Sequence, residues 1–274
     1  MAGISPTAEA TFRPPADVAA PQQNKAEGAR WRPVSALTAV VIGLLAGQAV
    51  ALALIATYGD ARGVVGLSLV VGDLILLASV VAVAARGAER LGAATLGIRR
   101  TSWGPAVGWG AALLVSGMAV QGLLAAIFGV SGGDSSTVHF TPGTALLVTF
   151  GVAVAAPLVE EIAFRGYLFP ALTRWRGPWL AATITALLFG AAHFAALPAA
   201  MLLGAAFFGF GACLLFWFTG SLLPAVAVHS VNNAFVLAVV TGGQLAWAIV
   251  AAPLLALLLL MPLARERAPE AATS

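Results

Sequence analysis

From Trp31 to Leu263 the chain is an almost unbroken series of apolar runs, each about long enough to cross a bilayer as a helix. A hydrocarbon core of about 30 Å asks for roughly 17–25 apolar residues per helix. Backbone polar groups in lipid must find partners within a helix or a closed barrel. By that gauge the runs are 33–57, 64–85, 103–129, 144–169, 179–195, 197–219, 222–240 and 244–263. The expected fold class is therefore all-α: a polytopic integral membrane helix bundle of about eight transmembrane helices. Hydrophobic residues make up 60% of the chain, above the roughly 45–50% of soluble domains. Gly43/Gly47 and Gly104/Gly108 have the small-xxx-small spacing that lets helices approach closely.

The arginines and lysines test this count. With a cytoplasmic N-terminus the inner segments carry Arg13, Lys25, Arg30, Arg32, Arg86, Arg90, Arg99, Arg100, Arg174, Arg176, Arg265 and Arg267. The outer loops carry Arg62 alone, and Arg165 falls within a helix. That asymmetry supports an even number of spans and a multi-pass cell-membrane protein with both termini cytoplasmic. Trp31, Trp103, Trp175 and Trp179 lie near span ends, where aromatic belts form. Residues 1–30, rich in Ala, Pro and Gln, read as a disordered cytoplasmic tail without a signal-peptide core. Residues 31–143 hold the N-terminal spans, 144–240 the polar core, and 241–274 the last span and a short tail. A formal net charge of +3 leaves no nucleic-acid footprint; the lipid bilayer is the expected partner. The lone Cys213, in an apolar run, reads as a small core residue and excludes an intrachain disulfide.

Nearly all intramembrane polarity lies in the second half, where an ionisable residue is by default a functional hypothesis. Glu160, Glu161 and Arg165 stand near the inner end of the fourth span, His193 closes the fifth, and His229 and Asn233 share the seventh. Glu161 and Arg165 are four apart, the spacing of an ion pair on one helix face. Glu160 is rotated about 100° away, so that pairing suits it less well, and an unpaired carboxylate there can act as a base or acid. Phe189 is one turn before His193 and could wall a site. His229 and Asn233 project together and could hold an oxyanion, or could simply join helices by a hydrogen bond. Three helices each offering one such group suggest a hydrolytic centre. Glu160 could activate water with help from His193, or Glu160, His193 and His229 could hold a divalent metal such as zinc. Neither His-Glu-x-x-His nor Gly-x-Ser-x-Gly occurs. The competing readings are an ion or proton relay through these groups, and a non-catalytic membrane scaffold or immunity protein.

The order Glu-Glu-x-x-x-Arg, Phe-x-x-x-His, His-x-x-x-Asn, on three separate spans, resembles the CPBP family of CAAX prenyl endopeptidases and bacteriocin-processing or self-immunity proteins. Thr219-Gly220-Ser221-Leu222 is similar to the turn that precedes the family's last motif helix. The resemblance covers about 145–240. It implies an all-helical intramembrane endopeptidase acting on a membrane-associated polypeptide. It also implies that Glu160 and His193 activate water while His229 and Asn233 stabilise the oxyanion, with Glu161, Arg165 and Phe189 supporting. Many members are called metalloproteases, which keeps the metal open. One difficulty follows from simple counting: at 1.5 Å per residue, His193 lies roughly 21 Å along its span, deeper than Glu160 or His229. Helix tilt, or a fifth helix that starts outside the lipid, is needed to bring them together.

Overall fold

The computed structural model describes residues 30–59, 62–88, 90–130 and 140–264. The tail expected over 1–30, apart from Arg30, and the C-terminal tail beyond 264 lie outside the described residues. Among these residues the elements are all helical: α1 (Pro33–Tyr58), α2 (Arg62–Ala84), α3 (Trp103–Phe128), α4 (Pro142–Ala192), α5 (Ala199–Thr219), α6 (Leu222–Val240) and α7 (Ala248–Leu260). The protein is a polytopic all-α membrane bundle.

The span count is resolved differently from the sequence reading. Among the described residues, six helices are long and apolar enough to cross a membrane, and one of them, α4, runs for 51 residues. The expected fourth and fifth spans are its two arms. No loop separates them; the chain turns at Arg176 and Gly177, where Gly177 takes a φ of 77°, a left-handed conformation open to glycine at little steric cost. Pro178 then restarts the helix, as proline does at a first turn. The eighth run starts late and is shorter, 13 residues in α7, because Gly242 and Gly243 at positive φ hold 241–247 in turns.

The α1–α2 pair packs along small residues. A Cβ on Gly47 would lie 2.7 Å from the carbonyl oxygen of Gly72, so the two backbones touch where the sequence placed a small-residue contact. Gly104 and Gly108 do not behave in this way; both face open space. The close contact of α3 falls instead at Gly110, where a Cβ would come 2.8 Å from Val228. Two residues on a helix are about 200° of rotation, so Gly110 faces the bundle while Gly108 faces away.

Helix α6 occupies the centre, with 61% of its apolar window buried against 11% for α3. It packs against α3, α5, α7 and the first arm of α4, which also contacts α2. Its start is specified locally. Gly220, at φ 63°, ends α5, and Ser221 caps α6 by accepting the Leu223 N–H. The segment before α3 turns back into the protein: Leu96 and Ile98 are buried, and the Gly97 carbonyl accepts the Leu222 N–H at 2.8 Å. Trp31 corrects another expectation. It stands beside the start of α1 but does not face outward: it is buried edge-on against Tyr167 with centroids 4.9 Å apart, and its indole N–H donates to the Ala84 carbonyl at 3.0 Å. Trp103, Trp175 and Trp179 are exposed. Cys213 is fully buried and free.

Candidate active site

The first arm of α4 is not a regular helix. Residues Gly151–Ala155 and Ile162–Leu168 are π-helical, with a six-residue α-helical stretch, Ala156–Glu161, between them. π-turns inside α-helices are rare and concentrate at functional sites. Here they bracket Glu160 and Glu161.

Glu161 and Arg165 form the ion pair their spacing suggests, with Arg165 Nη1 donating to Glu161 Oε1 at 2.8 Å and both side chains fully buried. Arg165 Nη2 donates to the Gly209 carbonyl at 3.0 Å, which ties the pair to α5. The guanidinium also lies 4.4 Å from the centroid of the Phe189 ring. Glu161 Oε1 has a second partner, His229 Nδ1 at 2.9 Å. A carboxylate oxygen can only accept, so Nδ1 carries its proton and Nε2 is turned the other way. That nitrogen faces Glu160, whose Oε2 is 3.8 Å away. Glu160 Oε2 itself is buried with no hydrogen-bond partner. The two neighbouring glutamates thus have different surroundings: one is locked by an arginine and an imidazole, the other keeps an open carboxylate oxygen.

His193 ends the second arm of α4. Its Nδ1 is 2.7 Å from the Phe189 carbonyl, and since a carbonyl only accepts, Nδ1–H donates and Nε2 is left with its lone pair. The Phe189 ring lies 4.8 Å from the His193 ring and 5.6 Å from that of His229. Both imidazoles therefore pack against one phenyl ring. Asn233, one turn beyond His229, donates from Nδ2 to the Val152 carbonyl at 2.9 Å.

Three polar residues outside the motif pattern also reach this region, one from each N-terminal span. Gln48 Nε2 lies 3.5 Å from the Ala192 carbonyl, next to His193. Asp73 lies within electrostatic reach of Glu160, and its Oδ2 is buried without a hydrogen-bond partner. Gln121 Nε2 donates to Asn232 Oδ1 at 3.4 Å. Their polarity inside apolar helices was a usable signal; the sequence alone did not name their partners.

Among the described residues, no group of three or more His, Cys, Asp or Glu side chains is placed to hold a metal ion. The trio Glu160, His193 and His229 does not fit such a site in this arrangement.

No curated protein and no solved structure matches the chain. A family model does match, over residues 142–235, the stretch that contains every motif residue from Glu160 to Asn233. Within this multi-pass membrane protein, residues 142–235 are similar to the type II CAAX prenyl endopeptidase Rce1-like family.

Proposed function

We propose that the chain is an intramembrane endopeptidase that hydrolyses a peptide bond in a membrane-associated polypeptide. The observation that carries this reading is the buried, unpartnered Oε2 of Glu160, 3.8 Å from His229 Nε2. Glu160 takes a proton from water while the water oxygen bonds to the scissile carbonyl carbon. The lone pair on His193 Nε2 helps to orient that water. Charge then develops on the carbonyl oxygen, where the second N–H of the Asn233 amide donates; His229, with Nδ1–H kept on Glu161, donates there from Nε2 only as an imidazolium. Return of the proton from Glu160 to the leaving amine accompanies breakage of the C–N bond. Glu161 holds the His229 ring, and Arg165 holds Glu161.

A second buried carboxyl group, Asp73, within electrostatic reach of Glu160 would also suit a proton relay. Substitution separates the two. Glu160→Ala is expected to abolish cleavage of a membrane-embedded reporter polypeptide while helical content and membrane insertion stay as in the wild type. Full cleavage by that variant would overturn the role of Glu160, and no cleavage by the wild-type protein would overturn the proposal.

A further inference from the structure

The Asn233 amide is held from both sides by residues outside the motif pattern. A chain of side-chain amides runs in one direction: Gln121 Nε2 to Asn232 Oδ1 at 3.4 Å, Asn232 Nδ2 to Asn233 Oδ1 at 3.4 Å, then Asn233 Nδ2 to the Val152 carbonyl at 2.9 Å. The final acceptor fixes the direction of the whole chain, because a backbone carbonyl cannot donate. A flipped Asn233 would set oxygen against oxygen.

That carbonyl is free for a specific reason. Across the π-turn the Ala156 N–H bonds to the Gly151 carbonyl, five residues back. The same register assigns the Val152 carbonyl to residue 157, which is proline and has no N–H to give. The π-turn and Pro157 together leave one backbone acceptor open, opposite Asn233.

We propose that Gln121, Asn232 and Pro157 are positioning residues that fix which way the Asn233 amide points, so that its second N–H faces the site shared with His229. The catalytic consequence rests on the proteolysis reading; the geometry does not. The two 3.4 Å contacts are long for N–H···O bonds, as catalytic contacts often are before substrate binds.

The sequence makes a substrate-free test practical, since it contains only three asparagines, Asn24, Asn232 and Asn233. In full-length protein labelled with ¹⁵N-asparagine and held in detergent micelles, the Asn233 side-chain amide is identified by its loss in Asn233→Ala. Its hydrogen exchange with water is expected to speed up by about tenfold in both Gln121→Leu and Pro157→Ala. The second variant acts by giving the Val152 carbonyl a competing backbone N–H. Unchanged exchange in both variants would overturn the proposal.

Kinetics on a cleaved reporter complete the test. Gln121→Leu is expected to lower kcat by about 10- to 100-fold with KM unchanged, and to have no further effect in an Asn233→Ala background. An equal loss in both backgrounds would show that Gln121 does not act through Asn233, and would overturn the proposal. Undiminished cleavage by Glu160→Gln would instead remove Glu160 as the base, and no cleavage by the wild type would remove the proteolysis reading, with the exchange result still deciding the geometry.

Discussion

His229 and Glu161 meet through Nδ1 and Oε1 at 2.9 Å, and the same oxygen receives Arg165 Nη1 at 2.8 Å. One carboxylate oxygen therefore sets both the tautomer of the histidine and the position of a buried guanidinium. Its neighbour in sequence, Glu160, shares neither contact. The two glutamates should respond very differently to substitution.

Removing one member of a buried ion pair strands the other, typically at about 3–5 kcal/mol. Arg165→Ala and Glu161→Ala are each expected to destabilise the protein by about that much, read as a lower midpoint of thermal unfolding in detergent. Arg165→Lys should fall between these variants and the wild type, because a single ammonium cannot replace the fork that spans Glu161 and the Gly209 carbonyl. Glu160→Ala should change stability by less than about 1 kcal/mol. Equal losses from Glu160 and Glu161 would contradict the division of labour.

Packing along α1 and α2 gives a test independent of the chemistry. Gly47→Leu pushes side-chain atoms into the Gly72 backbone and is expected to destabilise the protein by about 1–3 kcal/mol. Gly104→Ala and Gly108→Ala, with nothing within 4 Å, should be neutral in the same unfolding measurement.

What was legible in the sequence was local. Apolar run length gave the helices, and four-residue spacing gave the Glu161–Arg165 pair and set His229 and Asn233 on one face. The turn before α6 was readable from Gly220 and Ser221. Relationships across the sequence were not legible. Asp73 and Gln121 are visibly polar residues in apolar spans, but the residues they come near, Glu160 and Asn232, lie far along the chain. Trp31 looked interfacial because nothing nearby predicts that it packs on Tyr167. The π-turns leave no mark in a 3.6-residue period, yet each shifts the phase of the helix and turns the residues after it. The join between the fourth and fifth spans escaped notice for a related reason: a turn of two residues, Arg176 and Gly177, replaces the loop that run length suggested.

Metal removal bears on the mechanism. Because the Glu160, His193 and His229 side chains are not grouped as a metal site, cleavage by purified protein is expected to survive prolonged chelation. Metal analysis should find less than one equivalent of zinc per chain. Loss of activity on chelation, restored by adding zinc, would contradict the glutamate mechanism.

The central claim is that Glu160 activates water for peptide hydrolysis. Comparing membrane peptides from cells that make the wild-type protein with those from cells making Glu160→Ala at equal levels tests it most directly. The account expects a set of new C-termini, carrying ¹⁸O when the cells grow in labelled water, in the wild type and none in the variant. The same termini at the same abundance in both would contradict it.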